Sequence, residues 1–566
     1  MSNRSILSLI AAAILTGCGG SSTSDPAPET PTPTPSQPTS TITATTGVIT
    51  GFGSVFVNGV EYETDATTVT TDDNDGASET NLQVGMVVNL SGEVNEDGTT
   101  GDANTIHYDE QLKGPMDSID LFANTIIILG QTILFDDLTS LENFILSDLK
   151  PGDILEISGY FNADGELYAT RIEKENEQTQ LKIQARITSL DTVNKTFELN
   201  GLTIDYSSAT FKDFVEADLA DGQQVRVKGE YSALDAGVLV VSEVKLKEKN
   251  ENHDEGDNRH VEGFITDFES SSSFKVDGIA IIIDDNTEFK YGDASALMAN
   301  VRVKIKGEFN ADGALLAKKI RIEHKTNLSI EGAIEAINLE LSTVTVLGVE
   351  FEINNQTKMK DESDDDERFF DLADLAIGDY VELKGFVDSE GKNIATKMKR
   401  ENEDENAETE LKGKVSNIEN FSFSLVGVTV TTDANTQFEG TNGDDVSQAV
   451  FFEQLENDML VEVKGQLIDS IFVALKVEIE EHDDDDDDSN DNRTEFKGVV
   501  EAVNEDSLLV SGHQVLTSQT AKFKVDDERV SAEQFWSIVA IDDQLEIKGT
   551  IDQQGVITAK SIELEH

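Results

Sequence analysis

A short phrase of alternating apolar and polar residues that ends in glycine, of the type Val-Xaa-Val-Lys-Gly, recurs seven times along the chain. A fixed period of this kind indicates that the chain repeats one small folded unit. The residue before the glycine is lysine in five copies and serine in the first two. The copies occupy residues 88–92, 154–159, 225–229, 301–307, 381–385, 461–465 and 545–549.

Aligning the copies on this phrase gives one template: three strands, a short helical segment, the strand that carries the phrase, a hairpin turn and a closing strand. In the fourth copy Val301, Val303 and Ile305 alternate with basic residues. Alternation with period two predicts a half-buried strand with one face in solvent.

The turns and the helical segment have signatures of their own. Asn-Xaa-Asp-Gly follows the phrase at 95–98, 162–165 and 310–313, and Asp-Gly supplies the positive φ of a tight hairpin. Ser531 and Gln534 have the spacing of a capping box, and residues 446–455 have an apolar face at helical intervals. We therefore expect a short helix before the phrase.

The element order is that of an oligonucleotide/oligosaccharide-binding (OB) barrel, and closure would protect the edges of such short strands. We predict a mainly β fold: a tandem array of about seven small five-stranded OB-like β-barrels, each with one short helix. An open sheet with one packed helix and a sandwich of neighbouring repeats are the alternatives. Repeats 1 to 7 are predicted at 47–108, 110–174, 181–248, 260–324, 327–400, 410–481 and 494–566. Short linkers predict packing of repeat 1 on 2 and of repeat 4 on 5.

The N-terminus has the features of a targeting signal. Arg4 precedes an apolar stretch at 6–15, which is too short to span a bilayer, and Leu-Thr-Gly-Cys closes it at Cys18. This resembles the lipobox of bacterial lipoproteins, which implies removal of a signal peptide at 1–17, acylation of Cys18 and attachment to membrane lipid. Gly19 and Gly20 in place of aspartate imply the outer membrane, on its periplasmic face or at the cell surface. An ordinary secretory signal with an incidental cysteine is the alternative.

Residues 18–46 are rich in proline, serine and threonine. Such a composition cannot bury a core, so a disordered, extended tether is expected between the lipid and the first repeat.

The first repeat is the clearest point of resemblance to a known family. Residues 47–59 read Gly-Val-Ile-Thr-Gly-Phe-Gly-Ser-Val-Phe-Val-Asn-Gly, followed by Leu-Gln-Val-Gly-Met-Val-Val at 82–88 and by Ser91-Gly92. This resembles the bacterial family known as domain of unknown function 5666. The resemblance implies a repeated module in secreted or lipid-anchored proteins, and it carries over no catalytic residue.

Charge restricts the classes of partner. The formal net charge is −68, concentrated in part in runs at 248–257, 361–367, 401–408 and 481–491. Blocks of like charge repel, so we expect disordered spacers, with weak calcium binding as the alternative. The calcium-like stretch at 72–77 lacks a glutamate at the required spacing. Binding of nucleic acid is not expected, because it needs a positive groove and stacking aromatics, whereas Trp536 is the one tryptophan.

No catalytic or cofactor motif is present, so we predict a protein that is not an enzyme and needs no cofactor. The histidines do not recur at equivalent positions. His253, Asp254, Asp257 and His260 alone suggest a metal cluster, in a segment expected to be flexible. Three functional classes stay open: a structural or interaction protein for an envelope protein or polysaccharide, a module that binds a divalent cation or small ligand, and an enzyme acting on envelope polysaccharide.

Overall fold

Most of the described chain forms short β-strands in which β-branched and polar residues alternate. The first repeat illustrates how these strands are arranged. The computed structural model describes residues 41–566 except 73, 75, 177–179, 236, 248–252, 403–408, 442–444, 469–470, 481–492, 505–506, 527, 553 and 566. The predicted signal peptide, Cys18 and the tether up to residue 40 lie outside the described residues. Repeat 1 contains β1 Thr41–Phe52, β2 Val55–Val57, β3 Val60–Glu63, β4 Thr68–Thr71, a 3₁₀ turn Glu79–Asn81, β5 Val87–Val94 and β6 Thr100–Tyr108.

These strands close a five-stranded barrel. β1 is long and pairs with β5 through its first half and with β2 through its second half, both antiparallel. β2 pairs with β3, β3 runs parallel to β6, and β6 pairs with β5. The ring order β1-β2-β3-β6-β5 is that of the OB fold. β4 extends the third strand along β6.

The same ring recurs in the other six repeats. Repeat 2 contains β7 Leu112–Asp120, β8 Thr125–Ile128, β9 Gln131–Leu134, β10 Ser140–Glu142, a 3₁₀ turn Leu146–Asp148, β11 Ile154–Phe161 and β12 Leu167–Glu175. Repeat 3 contains β13 Gln180–Arg186, β14 Thr188–Asp191, β15 Thr196–Leu199, β16 Leu202–Asp205, β17 Thr210–Lys212, a 3₁₀ turn Glu216–Asp218, β18 Gln224–Asp235 and β19 Val238–Leu246. Repeat 4 contains β20 Asn258–Ser270, β21 Ser273–Val276, β22 Ile279–Ile282, β23 Glu288–Lys290, a 3₁₀ turn Ala294–Ala296, β24 Arg302–Phe309 and β25 Leu315–Ile322.

The last three repeats follow in the same order. Repeat 5 contains β26 Leu328–Asn338, β27 Thr343–Val346, β28 Val349–Glu352, β29 Lys358–Asp361, a 3₁₀ turn Leu372–Asp374, β30 Tyr380–Val387 and β31 Asn393–Glu401. Repeat 6 contains β32 Thr409–Glu419, β33 Ser422–Leu425, β34 Val428–Thr431, β35 Gln437–Glu439, α1 Gln448–Gln454, β36 Leu460–Ile468 and β37 Ile471–Ile479. Repeat 7 contains β38 Arg493–Val503, β39 Ser507–Val510, β40 His513–Val525, β41 Glu528–Val530, α2 Ala532–Ile538, β42 Gln544–Ile551 and β43 Ile557–Glu565. The predicted fold class is confirmed.

The helical segment differs between early and late repeats. In repeats 6 and 7 it is a seven-residue α-helix, and Ser531 and Gln534 form the predicted capping box of α2. In the first five repeats it is a single 3₁₀ turn of three residues. The predicted short helix is therefore reduced to one turn in most repeats.

Two regions expected to lack structure are folded. Residues 41–46, which we assigned to the tether, form the first half of β1, where Thr43 and Thr45 are buried between neighbouring strands. The acidic run at 361–367 is a hydrogen-bonded loop, because the Asp361 carboxylate accepts from Arg400 Nε at 2.9 Å and from Glu367 N at 2.8 Å. The buried Arg400 guanidinium offsets the repulsion between the acidic side chains, which was the reason to expect a disordered spacer.

The glycine that ends each phrase lies at a β-bulge between the fourth and fifth strands. A Cβ atom at any of these seven positions would lie 3.0 Å or less from a carbonyl oxygen of the fifth strand. Only glycine lets the two backbones approach this closely, which explains why the phrase keeps it. The glycines are Gly92, Gly159, Gly229, Gly307, Gly385, Gly465 and Gly549.

The barrels are joined through their first strands. The first half of an OB-type first strand has one free edge, and such an edge is protected by pairing. β1 pairs with β20 of repeat 4, β26 with β32 of repeat 6, and β7 with both β13 of repeat 3 and β38 of repeat 7. Repeats 1, 4 and 7 have separate apolar cores, whereas repeats 2 and 3 share one and repeats 5 and 6 share another. The described residues from Thr41 on form one compact unit.

Candidate interaction surface

We call the strand that carries the phrase the motif strand; its seven copies are β5, β11, β18, β24, β30, β36 and β42. Its outward face carries polar side chains in every repeat. In β24, Val303 and Ile305 fill the barrel core as the alternation predicts. Lys304, on the opposite face, is also buried. The prediction of a solvent face is wrong here, because neighbouring barrels cover it.

The lysine of the phrase, here called the motif lysine, contacts another barrel in three repeats. Lys228 pairs with Asp72 of repeat 1, Lys306 Nζ donates to Gly98 O of repeat 1 at 3.2 Å, and Lys384 pairs with Asp137 of repeat 2 at 3.4 Å. In repeat 2 serine replaces lysine, and Ser158 Oγ accepts from Val87 N of repeat 1 at 2.8 Å. Motif lysines Lys464 and Lys548 are instead half exposed and pair within their own repeats.

The contact between repeats 1 and 3 is a buried charge network. The Arg226 guanidinium is fully buried and reaches Asp72 at 2.6 Å and Asp109, which also binds Lys247. Burial alone would raise the pKa of Asp72, but the hydrogen bond from Lys228 and the charge of Arg226 lower it to about 2. Removing one member of such a network would leave an uncompensated buried charge.

A second network lies where repeats 1, 2 and 4 meet. The Glu262 carboxylate of β20 is fully buried and accepts from Arg302 Nη2 at 2.5 Å and from Val48 N of repeat 1 at 3.2 Å. The Arg302 guanidinium lies over the rings of Tyr160 and Tyr168 of repeat 2, 5.4 and 5.3 Å from their centroids. Burial and the charge of Glu262 raise the pKa of Tyr160 well above its usual value.

Repeats 2 and 5 meet through lysines and main-chain carbonyls. Lys358 Nζ donates to Leu138 O and, at 3.4 Å, to Thr170 O. No carboxylate of the described residues forms an ion pair with it. Burial first, and then the charges of Lys397 and Arg302, lower the pKa of Lys358 from 10.5 to about 7.

At the edge of this contact Lys360 pairs with Glu142 of repeat 2 at 3.2 Å. Burial would raise the pKa of Asp137, but Lys384 and Lys412 outweigh it and lower the pKa. The contact between repeats 2 and 5 is therefore electrostatic.

The two predicted neighbouring contacts are confirmed. The hydrogen bond from Val87 to Ser158 joins repeats 1 and 2. Phe386 of repeat 5 packs on Tyr291 and His324 of repeat 4, with ring centroids 5.0 and 4.9 Å apart.

The sequence-predicted site residues have other surroundings. Cys18, the predicted lipid attachment site, lies outside the described residues. Asp72, part of the calcium-like stretch, is an ion-pair partner of lysine and arginine. His253 stacks on Phe309 at 3.8 Å, and burial together with Lys306 and Arg259 lowers the pKa of His260 to about 3. In the described part of the chain no three His, Cys, Asp or Glu side chains are placed to hold a metal ion.

The hairpin turns have the predicted role. The Asn310 side-chain oxygen accepts from the backbone N–H of Asp312 and of Ala314, both at 3.0 Å, and Gly313 has a φ of 78°. Asp164 in the equivalent turn also accepts from Asn300 of repeat 4 at 2.7 Å.

Sequence reasoning missed the networks of Arg226, Glu262 and Lys358. One signal was available: 43 basic residues stand against 111 acidic ones, so a strand face that collects cations is a ready partner for an acidic neighbour. The sequence of a single repeat does not indicate which other barrel supplies the acidic partner.

No helix among the described residues is long and apolar enough to cross a membrane.

Comparison with known proteins identifies the repeated unit. No curated protein matches the chain. A family model described as "Domain of unknown function (DUF5666)" matches seven successive segments, and together these cover most of the sequence. The matched residues are 41–103, 113–173, 184–245, 262–321, 331–399, 412–478 and 497–563. The chain therefore belongs to the DUF5666 family and contains seven tandem copies of its domain.

Proposed function

We propose that this protein is a lipid-anchored, non-enzymatic component of the bacterial cell envelope, in which the seven barrels form one scaffold that presents surfaces to an envelope protein or polysaccharide. The observation that carries the proposal is the use of the repeated polar face. In repeats 2 to 5 the serine or lysine of the phrase binds a neighbouring barrel. A repeated module whose shared polar face joins modules together supports a structural role better than a repeated catalytic one.

The lipobox-like sequence at Cys18 supports the anchor and the outer-membrane address. Acylation would attach the scaffold to lipid through one covalent site, and the residues between Cys18 and β1 would separate it from the bilayer. The strongly acidic composition suits a hydrated, self-repelling surface.

The test is expression of the full precursor and of a Cys18→Ser variant in a Gram-negative host, followed by mass spectrometry and membrane fractionation. We expect the mature protein to begin at an acylated Cys18 and to sediment with outer membranes, and the variant to lose both properties. A mature chain that is cleaved elsewhere and carries no lipid would contradict the anchor. Deletion of the gene without any change in envelope composition or integrity would contradict the scaffold role.

A further inference from the structure

Repeat 2 binds repeat 7 through the outer edge of its first hairpin. The end of β7 runs antiparallel to β38 of repeat 7, with Ile119 opposite Lys497, and Leu121 N donates to Glu495 O at 2.9 Å. Alternate residues of a strand face the same neighbour, so the N–H groups of Ile119 and Leu121 both point to repeat 7. We call this surface the docking edge of repeat 2; it comprises residues 117–121 and the helical loop 147–151.

Most of this contact is made by the main chain of repeat 2. Three of its carbonyl oxygens accept hydrogen bonds from side chains of repeat 7 at 3.0 to 3.2 Å, those of Asp117, Ser147 and Pro151. Two side chains of repeat 2 also take part. The Asp120 carboxylate accepts from Thr494 Oγ1 at 2.5 Å, and Lys150 pairs with Glu565 at 3.6 Å.

Repeat 5 has the same edge. Leu112 of β7 and Ile330 of β26 lie opposite the same position of the motif strand. Gly152 and Gly378, which end the two helical loops, each donate the backbone N–H to a carbonyl oxygen of the first strand four residues after that point, at 2.8 and 2.9 Å. The docking edge of repeat 2 therefore corresponds to residues 335–339 and 373–377 of repeat 5.

The polar groups of the edge are largely preserved in repeat 5. Asn338 stands at the position of Asp120, and an amide oxygen accepts a hydrogen bond as a carboxylate oxygen does. Each of these side chains accepts from the backbone N–H groups two and three residues further on, at 2.9 to 3.1 Å, so the two turns match. Main-chain carbonyls need no particular side chain. Of the contacts named above, the ion pair of Lys150 alone has no counterpart, because Ala376 stands at its position.

The edge of repeat 5 is not covered by any strand among the described residues. Ile119 is fully buried under repeat 7, whereas its counterpart Ile337 is partly exposed. Along this stretch β26 pairs with β27 on one side, and no other described strand pairs with it. Leu339 and Ile377 are 60% and 72% exposed. A bare strand edge beside exposed apolar side chains is a place where another strand adds.

Repeat 3 has the same turn but a closed edge. Aligned on its motif strand in the same way, it has Leu190 at the position of Ile337, and the Leu190 N–H donates to Asp221 Oδ1 at 2.9 Å. Asp221, like Ile377, precedes the glycine of positive φ that ends the loop. The carboxylate occupies the donor that an added strand requires. An isoleucine has no acceptor, so the edge of repeat 5 stays open.

We propose that the edge of repeat 5 binds the first strand of a further barrel of this same domain type, carried by a different protein. The partner on the equivalent edge of repeat 2 is such a barrel, and it presents its first strand. A second copy of this chain offers no such strand, because each of its seven first strands already pairs with another barrel. The added strand runs antiparallel to β26, and main-chain hydrogen bonds supply the affinity.

This inference rests on the proposed scaffold role and names the class of protein that the scaffold holds. It does not need the lipid anchor, because it is tested on purified full-length protein, whatever the state of Cys18. A failure to bind would leave the results on Cys18 and on gene deletion as they are, so the two failures are distinguishable.

The probe is a fluorescent peptide of residues 494–500, the part of β38 that adjoins repeat 2, with a photoreactive phenylalanine analogue in place of Phe496. We expect saturable binding to the full-length protein, at one peptide per chain, by fluorescence anisotropy. Phe496 lies opposite Asp120 in repeat 2, so irradiation should link the probe to Asn338 or its neighbours within residues 335–342. A peptide of the same composition in scrambled order should not bind.

Two variants close the edge in different ways. Leu339→Pro removes one N–H donor that makes no hydrogen bond among the described residues, and proline is common at such a turn position. It should weaken binding about threefold to tenfold, the loss of one hydrogen bond, without changing the thermal midpoint. Ile377→Asp, at an exposed position, introduces the carboxylate that caps the edge in repeat 3 and should have an effect of the same size.

The matched control is Thr192→Pro, the same change in the equivalent turn of repeat 3, and it should bind the peptide as the unmodified protein does. The absence of saturable binding, or an equal loss in the control, would overturn the proposal. Cross-links confined to residues 117–123 would also overturn it, because they would place the peptide on repeat 2. Self-association of the full-length protein in sedimentation velocity, if Leu339→Pro abolished it, would show that a second copy occupies the edge and would overturn the proposal as well.

Discussion

At the scale of single residues, the glycine of the phrase is set by the approach of two backbones. At Gly385 a Cβ atom would meet the carbonyl oxygen of Ile394, and neither atom belongs to a flexible side chain. At Gly51 of β1 the nearest atoms are side-chain carbons 3.7 and 4.0 Å away, in ordinary contact. The same substitution should therefore have different effects at the two positions.

We predict that Gly385→Ala lowers the free energy of unfolding by about 1–3 kcal/mol, because overpacking forces the bulge to shift. Gly51→Ala should be close to neutral, since it adds a methyl group without a clash and reduces the freedom of the unfolded chain. Urea unfolding of both variants measures the difference. Equal destabilisation by the two would contradict the role assigned to the bulge.

The buried Lys358 gives the contact between repeats 2 and 5 a dependence on pH. Its pKa is about 7 in the folded protein and 10.5 when exposed. Between pH 7 and 10.5 the unfolded state binds more protons than the folded state, so the free energy of unfolding rises with pH in this range. Below pH 7 Lys358 is charged in both states, and the full cost of burying its charge lowers the free energy of unfolding. Lys397 and Arg302 strengthen the effect, while Asp136 and Glu262 oppose it.

The prediction is that Lys358→Met removes this slope. The unmodified protein should gain up to about 1.4 kcal/mol per pH unit from Lys358 between pH 7 and 9. Free energies of unfolding at pH 6, 7, 8 and 9 measure it, with Lys392→Met, at an exposed position, as the control. Parallel pH profiles of the Lys358→Met variant and the unmodified protein would show that Lys358 keeps an ordinary pKa.

The residue pattern predicted which side chains of a strand point into their own barrel. It could not predict which outward side chains are buried by a neighbouring barrel. Alternation places Val303 inside a barrel, because that depends on local geometry alone. Whether Lys304 meets water or another repeat depends on which of seven similar surfaces lies opposite. That choice is made by long-range contacts, and the phrase alone carries no signal for it.

At the scale of elements, the start of β1 has a role that its composition conceals. Threonine-rich residues 41–46 continue a proline-rich segment, so composition groups them with the tether. In the structure they pair with β5 on one side and with β20 on the other. Threonine is β-branched and favours strands, whereas the preceding prolines remove backbone donors.

We predict that deleting residues 41–46 lowers the stability of repeat 1 and exposes the edge of β20. Hydrogen exchange should be faster at those amides of residues 258–261 that point to β1, whereas the alternate amides, which point to β24, should stay protected. Deleting residues 26–38, in the predicted tether, should leave exchange in both strands unchanged. Unchanged protection of β20 after the first deletion would contradict the pairing.

The OB-like order of elements was predictable because the alternation within the strands, the hairpin turns and the capping box are all local signals. The pairing of first strands was not, since any of seven similar edges could meet any other. The short linkers correctly indicated the contacts of repeats 1 and 2 and of repeats 4 and 5. The linkers contain no information on the pairing of β1 with β20 or on the pairing of β7 with β38.

At the scale of the whole molecule, the seven barrels are held in one unit by strand pairing and by ion pairs that cross between repeats distant in sequence. Small barrels of this size have marginal cores on their own, and contact with neighbours adds burial. Several of the cations, which are scarce in this chain, lie where barrels meet, among them Lys228, Lys358 and Lys384. This arrangement is the basis of the proposed scaffold.

Repeats 2 and 5 dock through defined pairs of lysine and carboxylate. Zero-length carbodiimide cross-linking followed by mass spectrometry tests it most directly, because the reagent joins only groups already in contact. Links between Lys360 and Glu142 and between Lys384 and Asp137 are expected, since these pairs lie 3.2 and 3.4 Å apart and retain solvent access. Links confined to single repeats and to neighbours in sequence would contradict the account.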